Sequence, residues 1–263
     1  ADITQVDMSN SKQTVLVIDV GNTSTSIGLY GSGRILRTDR LPTRPLLAEV
    51  VGKKIRRLAG ACLVDGAILA SVVPEVNGLW QKAVKKIWPS AKMIRVSHRL
   101  KLGVRLSYPK PETLGEDRLA NICAAAGIYG TPVIVADFGT AATFNVVLDR
   151  KGFVGGVIAP GPSMVFGYLA DRTALLPRVG PGPIRNAAGK STEEAMRMGA
   201  RWGYRGLVRE ILKELQKTSG RGKVHLCATG GYAPWVLEGS GIRMKINPTL
   251  TLQGLGRLYE LNR

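Results

Sequence analysis

Asp19 and Asp137 each close an apolar run, and each is followed by a glycine turn rich in small hydroxyl residues: VLVIDVGNTSTSIGLY over 15–30 and VIVADFGTAATFNVV over 133–147. A strand that ends in a carboxylate, followed by free backbone N–H groups, can hold a cation and a polyphosphate together. In the first copy Asp19 can bind a hydrated Mg²⁺ or orient its waters, while Gly21, Asn22, Thr23 and Ser24 offer donors to phosphate. In the second, Asp137 and the Gly139–Thr140 turn face the phosphates from the other side. One Asp-Gly after a strand is an ordinary turn. Two copies half a chain apart point instead to two similar half-domains across a cleft.

Asp117, in GEDR, stands at a helix start beside Arg118. It can act as general base toward a bound alcohol, with the adjacent cation keeping it ionised or orienting an anionic group. The same residue could equally complement the helix dipole and pair with Arg118 on the surface. Gly230 and Gly231 follow an apolar strand, where they let backbone pack against an adenine or ribose and also suit a strand-to-helix turn. GKST at 189–192 is no P-loop, because the first glycine of that motif would fall on Pro183 or Ile184. His98 and His225 lack the neighbours of a metal site or of a nucleophile's base. Cys62, Cys123 and Cys227 lie too far apart for a disulfide or zinc framework, which fits a reducing compartment.

The elements that must position these groups alternate along the chain. After the first Asp strand, 26–30 and 34–37 read as a hairpin around Gly31-Ser32-Gly33. Helical spacing from Leu46 is followed by a buried strand from Ala67 stopped at Pro74, a helix GLWQKAVKKIW and a short strand KMIRV. GEDRLANICAAAG is an Ala-rich helix with a polar start. The second half repeats the scheme: two or three antiparallel strands through FVGGVIAPG, a long helix from Ser191 capped by Ser191 with Glu194, the strand KVHLCATGG and a closing helix. A repeated β-β-β-α-β-α unit implies an α/β fold with two mixed sheets covered by helices.

The length, 263 residues, allows one large domain or two smaller ones, and 44% hydrophobic content supplies packed cores. No apolar stretch reaches the roughly 20 residues needed to cross a bilayer, and the polar start lacks a signal-peptide core. The cytosol, or an organelle after processing, is expected. The net charge of +18 fits either a solvated basic surface or, as a secondary property, nucleic-acid contact. No aromatics interleave with the basic clusters, which favours the first.

Eight motifs in order, DVGNT at 19, SVVP at 71, Y-x-x-P-x-x-x-G-x-D-R over 108–118, DFGTA at 137, GGVIAPG at 155, TALLP at 173, GKST at 189 and ATGG at 228, resemble the type III pantothenate kinases over about residues 14–262. The resemblance implies an actin-like ATPase fold in which ribonuclease-H-like halves, 14–128 and 129–263, enclose ATP. It further implies pantothenate as substrate, its terminal hydroxyl attacking the γ-phosphate with Asp117 as base. Tyr108, Gly115, Glu116 and Arg118 would line the pantothenate pocket, and Thr192 would contribute from a facing region. Asp137 would hold a monovalent cation, K⁺ or NH₄⁺, with Asp19 serving Mg²⁺ and Thr140, Gly230 and Gly231 contacting ATP. A cytoplasmic homodimer, its pocket completed at the interface, is the family's form.

Two features depart from that pattern. The family's DFGTATT has a threonine where this chain has Ala142, a missing hydroxyl expected near the phosphates. Together with the large positive charge, it keeps open a regulatory or nucleic-acid-associated member, since the same resemblance covers accessory factors for transcription. The apolar positions of the long helix, Ala195, Met196, Met198, Trp202, Leu207 and Ile211, could serve its own core or a partner.

Overall fold

The computed structural model describes residues 13–219 and 222–263. The first half supplies strands β1 (Val15–Val20), β2 (Ser24–Gly31), β3 (Arg34–Pro42), β4 (Gly66–Ser71) and β5 (Lys92–Arg95), with helices α1 (Ala48–Ala59), α2 (Asn77–Ile87) and α3 (Glu116–Tyr129). The second supplies β6 (Val133–Phe138), β7 (Ala141–Leu148), β8 (Gly152–Pro160), β9 (His225–Thr229) and β10 (Lys245–Ile246), with α4 (Pro162–Arg172), α5 (Thr192–Thr218), α6 (Ala233–Leu237) and α7 (Leu250–Asn262).

The two sheets have the same plan. One runs β3-β2-β1-β4-β5 and the other β8-β7-β6-β9-β10. In each, the central Asp-bearing strand pairs antiparallel with the next strand and parallel with the strand that follows a helix. Even the irregularities repeat, with a register shift at Leu29/Tyr30 between β2 and β3 and another at Val146/Val147 between β7 and β8.

Period-two alternation decides where the aspartates point. Leu16 and Ile18 pack outward with Val51, Ile55, Trp80 and Val84 of α1 and α2, whereas Val15 and Val17 face the inner core with α3 and α7. Asp19 continues the inner row and ends it. Likewise Ile134 and Ala136 pack with Tyr204, Val208 and Leu212 of α5, while Val133 and Val135 face α3, so Asp137 ends the second inner row. α3 lies between the sheets, which is why Leu119 to Ala125 are buried and why its small alanines suit the site.

The long helix carries the expected cap, but its reciprocal arm differs. Ser191 Oγ accepts from the Glu194 amide at 3.2 Å, while the Glu194 carboxylate turns back to the amides of Lys190 and Arg185 and to Asn186. The apolar positions of α5 divide: Met198 is buried, Met196, Leu207 and Ile211 pack on the chain's own core, and Trp202 stays exposed. Three elements had not been anticipated. α4 starts at Pro162, a residue pre-set for a helical first turn; α6 is five residues long; and β10 has only two residues.

Candidate active site

The carboxyl ends of β1 and β6 open into one cleft of about 400 Å³. Asp19, Gly21, Asn22, Thr23 and Ser24 line it from the first half, Asp137, Thr140, Gly230 and Gly231 from the second, and Asp117 from the start of α3. The two loops are built alike, with the Gly21 amide donating to the Ser24 carbonyl and the Gly139 amide to the Ala141 carbonyl, each at 3.1 Å. They meet across the cleft where the hydroxyls of Thr23 and Thr140 stand 3.4 Å apart. Ser26 and Thr143, the in-register partners of Asp19 and Asp137, add a further equivalent pair of hydroxyls.

Several residues that hold this arrangement escaped the sequence reading. Buried Thr43 donates to the Gly21 carbonyl at 2.7 Å and accepts from the Thr25 hydroxyl at 3.0 Å, anchoring the first loop to the end of β3. Buried Asn121, one turn into α3, donates to Asp137 Oδ2 at 2.9 Å and accepts from Thr251 of α7. Gly230 has φ +90°, and a Cβ there would collide with Asp137 Oδ1 and the Phe138 backbone, so a glycine is required at this approach.

Arg40, on β3, is the one Lys or Arg that lines the cleft among the described residues. Its guanidinium is held by Ser24 Oγ, at 2.8 Å from Nε and 2.5 Å from Nη2, and forms no ion pair with a described carboxylate. A Cβ on Gly231 would lie 3.9 Å from Nη1, so the cation reaches toward the other half. No motif marked Arg40; its position two residues before the strand end becomes informative only once β2 and β3 are paired.

Burial pushes Asp19 up to about 8, reinforced by the charges of Asp117 and Asp137 and opposed by Arg40. Burial and Asp117 likewise push Asp137 up to about 6, against the hydrogen bond from Asn121. Asp117 is also raised, chiefly by burial, although the Arg118 amide donates to it at 2.8 Å. Burial opposes the ionised form of Asp117 while the Arg118 charge and amide favour it, and the Arg118 side chain itself turns toward Asn145. The three carboxylates that line the cleft, each with raised affinity for protons, are individually oxygen donors of the kind a hard cation takes. Among the described residues no three His, Cys, Asp or Glu converge as a ready-made metal site, so phosphate and water would complete the shell of any such ion.

The residues expected around a second substrate lie beside the cleft. Arg118 Nε donates to Asn145 Oδ1 at 2.8 Å and its guanidinium sits 5.8 Å from the ring centre of Phe153, which in turn packs on Tyr108 at 5.5 Å. Asn145, buried on β7, is another residue the sequence did not flag. Glu116 is engaged on both oxygens, by the Ser71 amide at 2.8 Å and Arg95 at 3.1 Å, which ties the start of α3 to β4 and β5. Gly115 caps α3, leaving room for the Asp117 carboxylate. Thr192 is exposed at the first turn of α5 and is not among the residues lining the cleft. Ala142 is corrected: its side chain is fully buried in the core with Phe138 and Phe144, and the neighbours Ala141 and Thr143 line the cleft instead.

Twin sheets with the same strand order, each ending its central strand in an aspartate and a phosphate-sized loop, define the two-lobed ribonuclease-H-like architecture of the actin-like ATPases. The ethanolamine utilization protein EutJ from Carboxydothermus hydrogenoformans shares this fold, with a TM-score of 0.55 at 14% identity over 95% of this chain and 91% of that one. Residues 15–214 match the family model for type III pantothenate kinase. Two proteins named type III pantothenate kinase are similar along nearly the whole chain. The one from Methylacidiphilum infernorum is 35% identical over 94% of this chain and 88% of its own length, and that from Akkermansia muciniphila is 40% identical over 95% and 99%. The chain belongs to the type III pantothenate kinase family, and it is a phosphotransferase.

Proposed function

We propose that this protein transfers the γ-phosphoryl group of ATP to the terminal hydroxyl of pantothenate, giving 4′-phosphopantothenate for coenzyme A biosynthesis, with Asp117 as the general base. The observation that carries this reading is the convergence of Asp19, Asp117, Asp137 and Arg40 on one cleft lined by two equivalent hydroxyl-rich loops. Phosphoryl transfer depends on positioning and on neutralising charge spread over the phosphate oxygens. The loops at 21–24 and 139–140 supply N–H and O–H donors, and Arg40 supplies a fixed cation. Gly230 and Gly231 receive the nucleoside side of ATP.

A divalent ion, taken as Mg²⁺ and held through water by Asp19, would neutralise the phosphates, and a monovalent cation, K⁺ or NH₄⁺, would sit at Asp137. Asp117 accepts the hydroxyl proton as the substrate oxygen bonds to phosphorus and the bond to the β–γ bridging oxygen breaks. Its raised pKa makes it a better proton acceptor than an exposed carboxylate. Arg118, oriented by Asn145, pairs with the pantothenate carboxylate, with Tyr108, Phe153 and Gly115 beside it. Glu116 acts as a positioning residue that sets the angle of α3.

The active unit is a homodimer. Ile158, Met164, Tyr168, Leu175 and Trp202 are exposed apolar side chains on β8, α4, the segment after it and α5 that a second copy could cover. A second copy covering this surface would bring Thr192 toward the partner's substrate. The halves are 14–128 and 129–263, and the working compartment is the cytoplasm; among the described residues no helix is long and apolar enough to cross a membrane. Of the two features behind the regulatory alternative, Ala142 belongs to the core rather than to the phosphate site, and the basic charge is the one that still bears on it. The reading is tested by ATP turnover with and without pantothenate, Mg²⁺ and K⁺: turnover should require pantothenate, and its absence under every cation condition would overturn the proposal.

A further inference from the structure

A second cavity, of about 290 Å³, lies at the opposite ends of α3 and β7, about 15 Å along the helix from Asp117. It is lined by α3, the turn between β7 and β8, the loop at 103–105 and Arg257 of α7. Here the two halves are joined: the Phe153 amide donates to the Arg105 carbonyl at 2.8 Å, and the Ser107 amide donates to the Phe153 carbonyl at 2.8 Å.

Arg257 lies against the last turn of α3, where a Cβ on Gly127 would overlap Cζ, Nη1 and Nε and oblige the guanidinium to move. Gly103, at φ +69°, abuts the same group, its Cβ position 3.9 Å from Arg257 Nε. Yet Nε is buried without a hydrogen-bond partner. Neither Arg257 nor Arg105 forms an ion pair with any described carboxylate, including Asp149, which also lines the cavity. The Cys123 thiol meets the Arg257 side chain by a hydrogen bond but offers no counter-charge, since burial pushes it up to about 11 despite that bond and the Arg257 charge. A half-buried cation with an unmet donor is costly unless an anion completes it.

We propose that this cavity binds a small oxyanion, the phosphate or carboxylate group of a metabolite, between Arg257 and Arg105. Two guanidinium groups against one aspartate leave the site net positive, and guanidinium forks match the planar or tetrahedral oxygens of such groups. Because Arg105 rides on the strap bonded to β8 while Arg257 rides on α7 against β1, the ligand would clip the two halves together at the end remote from catalysis.

The test is saturable binding at constant ionic strength, followed by thermal melting, with inorganic phosphate in one arm and citrate in the other. Arg40→Met is the reference background, because it removes the cation of the catalytic cleft. Saturable stabilisation by either anion in that background, weakened by about tenfold or more on adding Arg105→Gln or Arg257→Gln, supports the site, and the better anion names its chemistry. Arg105 is exposed, so its variant keeps the test open should Arg257→Gln fail to fold. Absence of saturable stabilisation by both anions, or equal affinity with and without Arg105, would overturn the proposal.

Discussion

Replacing Arg40 with methionine removes the cleft's cation while keeping an extended apolar stem on β3. The guanidinium sits 2.8 and 2.5 Å from Ser24 Oγ and forms no ion pair with a described carboxylate, so it is free to meet the nucleotide phosphates. Losing a charge-assisted hydrogen bond of this kind costs about 1.5–3 kcal/mol, and each 1.4 kcal/mol is tenfold, so ATP affinity should fall by about 10- to 100-fold. Adenosine carries no phosphate and should bind Arg40→Met as it binds the unaltered protein. Calorimetric titration with ATP, ADP and adenosine separates these contributions. Arg40→Lys should fall between the two, because a point charge lacks the fork held by Ser24. An ATP affinity within about threefold of the unaltered protein, or an equal loss for adenosine, would refute the clamp.

Asp19 and Asp137 give a sign that can be worked out. Their folded values, about 8 and about 6, lie above the ordinary 3.8, so the contribution of these two groups to the ligand-free fold is full below about 3.8 and is lost as pH rises from there through about 6 for Asp137 and about 8 for Asp19. Asp19→Asn should therefore raise the melting temperature of the free protein at pH 8 while abolishing turnover, whereas an unchanged or lower value would show that the carboxylate is not strained there. Ala142→Thr should lower stability by about 1–3 kcal/mol in denaturant titration and leave the KM for ATP unchanged, because the added atoms enter the Phe138–Phe144 core. Asn145→Leu should raise the KM for pantothenate by about tenfold with little effect on ATP, since it releases Arg118 from its 2.8 Å anchor.

Much of the catalytic floor was legible because it depends on local pattern. An apolar run ending in Asp before a glycine turn, met twice, pointed to carboxylates facing a cleft between two halves, and Asp19 and Asp137 both line that cleft. GEDR at a helix start is likewise a local signal, and Asp117 reaches the same cleft. What escaped was set by pairing between distant segments. Arg40 enters through the β2–β3 register, Thr43 through its bond to Gly21, Asn121 through the crossing of α3 and α7, and Asn145 through its bond to Arg118. Ala142 was misplaced for the same reason: strand parity assigns its side chain to the core, a fact visible only after β7 is paired with β6.

Asp117→Asn tests the central claim most directly. Pantothenate-dependent ATP turnover should fall by about 10²- to 10⁴-fold, the range typical of a lost general base, with ATP and pantothenate still bound and the melting curve intact. Turnover within about tenfold of the unaltered protein, or loss traced to unfolding, would contradict the assignment of Asp117 as the base.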